Sequence, residues 1–283
     1  MSVPSVSIFY LDERSIKVIA KGFGVAYLNA LRRLALSDVP TMAVDVVYFY
    51  ENSTDVYDEM IAHRLGLTVL KSEEALNKYK SPEECRNIEP PHEKCFVEIY
   101  LDYNVKKEAE IGSYIRASDL KISDPDVTPV YPDTPITYVA PGQRLHLVAY
   151  ARLGRGREHA KWSPASISVL RFTPVVVFDL EKASERCLEC LRSCDEKFFE
   201  EFIKMKKGSL ELHHISNTSG LRYCAESECS GAFKIKYDRE VLELIVESTG
   251  ALSPHRIVYE ATRALESRAL ALIEELKKIG VRA

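Results

Sequence analysis

Five of the seven cysteines fall within 43 residues, as Cys187-x2-Cys190-x3-Cys194 followed by Cys224-x4-Cys229. Thiols this close can converge on one centre with only short segments between them. The stretch therefore has to fold as a small unit around its sulfurs. The spacing suits a soft metal or an iron–sulfur cluster. Read backward from Cys194, the bacterial ferredoxin run gives Ser184, Cys187, Cys190, Cys194 and Asp195, so serine stands at the first ligand position and aspartate replaces the closing proline. A four-thiolate site then needs Cys224 or Cys229 from a distance. A three-thiolate site would hold a three-iron cluster. Zinc on Cys187, Cys190 and one or both distal cysteines fits equally. Without metal, the alternatives are reduced thiols or a Cys224–Cys229 disulfide. Cys85, Cys95 and the nearby His92 fit neither spacing. A metal here reads as structural, supplying folding energy that a small core lacks.

Outside that stretch the chain is ordinary globular material: 283 residues, 46% apolar and 28% charged. A net charge of -4 disfavours binding to duplex nucleic acid by bulk charge. No apolar run approaches the roughly 18 residues of a membrane span. The first residues carry no basic segment of a signal peptide, so a cytoplasmic chain is expected. The first fifty residues read strand, strand, helix, strand, with the helix over 25–37 ended by Pro40, an α+β pattern. A helix is expected over 55–65, loop over 78–94 and irregular chain over 124–141, where prolines cluster. Strands are expected over 95–103, 144–153 and 167–178, the last interrupted at Pro174. After the cysteine stretch, strands over 232–237 and 242–246 precede a long amphipathic helix from Pro254 to about Ile279, with Ser253 as its cap. Its apolar stripe needs a surface to cover it, in this chain or in another.

Catalytic signatures are missing. Gly22-Phe23-Gly24 lacks the third glycine of a dinucleotide fingerprint, and no phosphate loop, zinc-protease or nucleophile-elbow motif occurs. His63 stands alone, and the adjacent His213 and His214 point in different directions. No active site is expected. The stretch from Tyr150 to Lys161 gathers Arg152, Arg155, Arg157 and Lys161 against Glu158, with Gly154 and Gly156 loosening the backbone. Arginine forks of this kind grip carboxylate or phosphate, so the stretch reads as a docking loop for an acidic partner surface or as a solvated loop.

Longer motifs carry a resemblance. Leu28-Asn-Ala-Leu-Arg-Arg-Leu-Ala-Leu-Ser-Asp-Val-Pro through Asp45, and Asp58-Glu-Met-Ile-Ala-His-Arg-Leu-Gly-Leu67, resemble the alpha-type subunits of multisubunit RNA polymerases. Tyr131-Pro-Asp-Thr-Pro-Ile, Pro141-Gly-Gln-Arg-Leu, Ala149 through Pro164 and Val246-Glu-Ser-Thr-Gly-Ala-Leu-Ser-Pro254 are similar to the archaeal branch of that family and its eukaryotic third-largest-subunit counterpart. The resemblance implies a non-catalytic assembly platform of a DNA-directed RNA polymerase. Such a subunit heterodimerises with subunit L and, with small subunits N and P, recruits the large catalytic subunits; DNA contact is at most indirect.

It also implies an α+β fold with a discontinuous dimerisation domain (1–50, 171–180 and 232–283), an inserted mainly-β domain (51–170) and a small ferredoxin-like cysteine domain (181–231). Apolar partner contact is then expected at Leu28, Leu31, Leu34, Leu265, Leu272 and Leu276. Arg32, Arg33 and the loop from Arg152 to Lys161 would reach the large subunits. Some members bind a cubane cluster in the third domain, which would place a 3Fe-4S or 4Fe-4S cluster, or zinc, on Cys187, Cys190, Cys194, Cys224 and Cys229. An independent iron–sulfur electron carrier would explain those cysteines alone. A metal-stabilised nucleic-acid adaptor is opposed by the acidic charge and by the lack of interleaved basic and aromatic residues.

Overall fold

The structure, a computed structural model, describes residues 3–194, 196–213 and 218–280; Asp195 and His214 lie outside them. In chain order the elements are β1 (Ser5–Leu11), β2 (Ser15–Lys21), α1 (Val25–Ser37), β3 (Pro40–Asn52), α2 (Asp58–Leu67), the single turns α3 (Ala75–Lys78) and α4 (Pro82–Cys85), β4 (Phe96–Asn104), β5 (Ser113–Arg116), β6 (Lys121–Ile122), β7 (Pro135–Val139), β8 (Arg144–Arg155) and β9 (Ala165–Asp179). Then follow α5 (Glu185–Cys194), α6 (Glu196–Met205), β10 (Lys207–Glu211), α7 (Thr218–Glu226), β11 (Phe233–Ser248) and α8 (Pro254–Lys278). The mixture of strand and helix is α+β. The strands form sheets in the orders β1-β2-β11-β9-β10, β3-β8-β4-β6 and β5-β7. The chain separates into two compact units, one of residues 1–9, 17–28 and 170–244 and the other of residues 10–16, 29–169 and 245–283.

In the first unit, β11 carries a carboxylate that water does not reach. Glu243 is fully buried and meets Lys17 of β2 at 2.9 Å, Arg171 of β9 at 2.7 Å and His213 Nδ1 at 2.8 Å, while the Thr173 hydroxyl donates to it at 3.3 Å. Burial pushes its pKa up, but the hydrogen bonds from Lys17, His213 and Arg171 hold it below the usual carboxylate range. Lys17 is pulled down by its own burial. Glu243 has the larger set of partners, so the network stands charged.

Pro174 does not interrupt β9. The β10 ladder ends at Glu211 opposite Val175, and the Pro174 carbonyl accepts the Leu212 amide. Along that edge no donor is asked of the proline. The two strands expected over 232–246 are one continuous β11.

The second unit is built on the long pair β3 and β8, antiparallel from Pro40 opposite Arg155 to Asn52 opposite Leu145, with β4 on the far side of β8. One face of this sheet packs with Ile61 and Leu65 of α2 and with Ile136 and Val139 of β7 into an extended apolar core. The proline-rich region is thus not wholly irregular, because β7 pairs with β5. The expected loop over 78–94 holds the capped turn α4, and Cys85 is bonded to Cys95 rather than free for a site with His92. Ser253 precedes α8 with extended backbone, yet its hydroxyl donates to Glu73 at 3.1 Å instead of capping the helix. Two glycines of β8 and its turn are obligatory. A Cβ on Gly154 would sit 2.3 Å from the Trp162 ring, and one on Gly156 would sit 2.1 Å from the Leu36 carbonyl.

Glu243→Ala leaves the buried Lys17 without its counter-charge and should cost about 3–5 kcal/mol in urea unfolding. The folded pKa is depressed, so this stabilisation is present above the ordinary glutamate range and is lost as pH falls below it. An unchanged unfolding midpoint near neutral pH would refute this role.

Candidate metal centre and partner surfaces

The cysteine run is a helix, not a ferredoxin loop. Cys187, Cys190 and Cys194 lie on α5 at steps of three and four, hence on one face. At about 1.5 Å per residue the stripe is about 10 Å long, too long for its two ends to share one metal. The opposing sulfurs divide it. Cys187 is bonded to Cys229 and Cys190 to Cys224, so the Cys224–Cys229 bridge considered from sequence does not form. Cys194 Sγ lies 3.4 Å from Cys224 Sγ. Gly220 on α7 permits this approach, since a Cβ there would meet Cys194 Sγ at 3.1 Å. Ser184 accepts the Cys187 amide at 3.2 Å, the hydrogen bond of a helix cap rather than a metal bond.

The sulfurs of Cys190, Cys194 and Cys224 all lie within 4.8 Å of one another. Thiolates on one tetrahedral zinc, with bonds of about 2.3 Å, stand about 3.8 Å apart. The triad therefore can hold a metal once the Cys190–Cys224 bond is reduced. Cys187 and Cys229 lie outside the triad. All five sit against Val176, Phe178, Leu191, Phe202, Leu221 and Phe233 in one apolar core.

The two helices expected to meet partners differ. Leu28, Leu31 and Leu34 of α1 are 4, 6 and 4% exposed. Their own chain covers them, so they belong to its core and not to a partner face. The exposed large apolar residues of α1 are Val25 and Tyr27. Arg32 is half-buried and donates to Asn29 at 2.8 Å, whereas Arg33 is exposed and makes no ion pair among the described residues. On α8 the apolar stripe splits. Ile257 and Ala261 are buried, Leu265 is half-buried, and Leu270, Leu272, Ile273 and Leu276 lie open, Leu272 to 60%.

The basic stretch is largely spent inside its own unit. Asp45 of β3 accepts from Arg152 at 2.7 Å and Lys161 at 2.8 Å. Both cations also stand over the Trp162 ring, 4.4 and 4.2 Å from its centre. Burial works against the Asp45 charge, but hydrogen bonds from Lys161 and Arg152 hold its pKa below the usual value. Arg155 grips Glu83 with two nitrogens, at 2.7 and 2.9 Å, and Arg157 reaches Glu83 and Asp38. The Arg155 hydrogen bonds, opposed by partial burial, bring Glu83 down to about 2. Only Arg157, with 45% of its side chain exposed, remains available to an outside carboxylate. A +3 run in sequence becomes a self-neutralised corner because its acids come from β3, α4 and the end of α1.

Comparison with known proteins places these features. Residues 46–173 match the family model of the RNA polymerase Rpb3/RpoA insert domain. DNA-directed RNA polymerase subunit Rpo3 of Aeropyrum pernix is 54% identical over 277 residues, covering 98% of this chain and 96% of that one. The Pyrococcus horikoshii protein of the same name is 44% identical, covering 97% and 98%. That of Methanosphaera stadtmanae is 30% identical, covering 91% and 93%. No helix among the described residues is long and apolar enough to cross a membrane.

Two outcomes are expected. Replacing Cys187 and Cys229 together by Ser removes a bond that closes 42 residues and should cost up to about 4 kcal/mol on the chain-entropy estimate. The gap between the two proteins should close in reductant. The stability advantage of the native chain over Glu83→Gln should be full above pH 4.5 and should fall away as pH drops through about 2, because the folded pKa lies below the ordinary one. An advantage that does not shrink between pH 4.5 and pH 2 would put the Arg155 grip elsewhere.

Proposed function

This chain belongs to the Rpo3 family of DNA-directed RNA polymerase subunits, and from that premise we propose that it is the non-catalytic platform on which the archaeal enzyme assembles. The observation that carries the reading is the second half of α8. Leu270, Leu272, Ile273 and Leu276 are exposed along one helix, although the first half of the same helix is anchored through Ile257 and Ala261. An amphipathic helix whose apolar face is left open is completed by another chain. The partner we assign to it is the small subunit L, with subunits N and P joining the heterodimer before the large catalytic subunits. Residues 1–50, 171–180 and 232–283 would form the dimerisation domain, 51–170 the insert and 181–231 the cysteine domain. Arg33 and Arg157 are the charged residues best placed to meet the large subunits, because their own chain leaves them exposed.

The cysteine triad supports a second element of the same reading. Reduced, Cys190, Cys194 and Cys224 offer three thiolates to zinc or to an iron–sulfur cluster, whose part would be to stabilise a small domain. All three pack in or against one apolar core, which supports a structural role over an exposed electron carrier.

Changing Leu272 and Leu276 to Asp should abolish co-purification with subunit L while leaving the circular dichroism of the chain unchanged. An equally tight complex would rule out this face. Arg33→Ala should spare that heterodimer and weaken recruitment of the large subunits in reconstitution. Protein purified without oxygen should carry iron with acid-labile sulfide, or about one zinc per chain, and Cys194→Ser should lower that content. Unchanged metal in Cys194→Ser would exclude the triad.

A further inference from the structure

Cys194 is the one cysteine of the chain outside a disulfide bond. Its sulfur stands 3.4 Å from that of Cys224, which is already bonded to Cys190. Reacting atoms held about 3–3.5 Å apart are within attacking distance. A thiol beside a disulfide can displace one of its sulfurs, and access decides which one. Cys224 is fully buried, so a thiol from solution does not reach its sulfur. Cys194 reaches it from inside. Gly220 stands one turn before Cys224 on α7 and leaves room for the Cys194 sulfur, which a Cβ there would meet at 3.1 Å. Cys190 and Cys194 lie one turn apart on one face of α5, both half-buried, so Cys224 faces two alternative partners. The three sulfurs lie within 4.8 Å of one another. Cys194 is the last residue of α5, and at a fraying helix end a side chain can swing into line with the bond it attacks.

We infer that the oxidised triad is a thiol–disulfide exchange centre, in which Cys194 attacks Cys224 and releases Cys190. The Cys194–Cys224 bond forms as the Cys190–Cys224 bond breaks. The electron pair of the broken bond leaves on the Cys190 sulfur, and the proton given up by Cys194 ends there by way of solvent. One disulfide and one thiol stand on each side of the step, so no oxidant or reductant is consumed. In either pairing one bond ties α5 to α7, while the thiol moves one helical turn between two half-buried positions. Cys187 and Cys229 take no part, since they are buried, bonded to each other and outside the group of three. The exchange belongs to the oxidised chain. It stands apart from the platform role and from the metal that the reduced triad would hold.

The test is disulfide mapping of the full chain, stripped of metal with a chelator, oxidised in air and freed of small thiols. After hours at neutral pH the protein is quenched in acid, alkylated with N-ethylmaleimide in acidic denaturant, digested with pepsin and read by mass spectrometry. The native chain should give both the Cys190–Cys224 and the Cys194–Cys224 peptides, with alkylation at Cys194 and at Cys190. Cys194→Ser should lose the Cys190 label and keep only the Cys190–Cys224 bond. Cys190→Ser should form the Cys194–Cys224 bond instead. The Cys187–Cys229 peptide reports in each variant that the small core has folded, and the native chain alone decides the matter where a variant does not fold. Label confined to Cys194 in the native chain, or no bond to Cys224 at all, would overturn the assignment. So would a Cys190 label that survives in Cys194→Ser, or a folded Cys190→Ser chain in which Cys194 and Cys224 both stay thiols.

Discussion

A buried carboxylate fixes the register of the first unit, and the register decides what that unit presents. Glu243 touches charged or hydroxyl groups from the strands on either side of β11 and from His213, just beyond the end of β10. The buried Lys17 would lose its carboxylate partner if β11 slid by one residue. A slip of one also exchanges the two faces of a strand. At the other end of β11 it would carry Lys234 and Lys236 into the core that holds Cys187, Cys224 and Cys229, and turn Phe233 and Ile235 out to water. The charged network is thus better understood as a device of alignment than as a net source of stability. The gain from a buried ion pair is often cancelled by its desolvation, while the penalty for breaking it is large.

The second unit uses charge in the same way at Asp45. Arg152 and Lys161 come from different ends of the basic stretch, yet one carboxylate and one indole hold both. Gly154 is what lets the indole in. The dense run of cations from Arg152 to Lys161 is therefore mostly internal. Local charge density along a chain and charge density on its surface are different quantities, because acids that are distant in sequence decide which cations are left over.

That distinction separates what was legible in the sequence from what was not. Elements with a clear period were legible: α1, β3, β8 and α8 stand within a few residues of where alternation or helical spacing puts them. Family membership was legible because long motifs survive intact from Leu28 to Pro254. Contacts that depend on a partner from elsewhere were not. Pro174 looked like a break because nothing local shows that β10 stops one residue short of it. Ser184 looked like a replaced ligand because nothing local shows that residues 185–194 form a helix needing a cap. The cysteine spacing was seen, but a loop motif was laid over a helical stripe, so the pairing of Cys187 with Cys229 and of Cys190 with Cys224 was missed.

The apolar stripe of α8 shows the same limit from the other side. Its period over 25 residues says that one face is covered, not by what. In the fold the first turns are covered by the chain itself, and burial ends near Ala261. Leu28, Leu31 and Leu34 show an equally good period on α1 and are wholly internal. Periodicity alone could not have told the two helices apart. Exposure does, and it leaves the far half of α8, not α1, with an open apolar stripe. On the platform reading, that half-helix is a surface whose stability belongs to the complex. Its contribution then depends on partner concentration rather than on the fold of this chain. Assembly would be the step that completes the core.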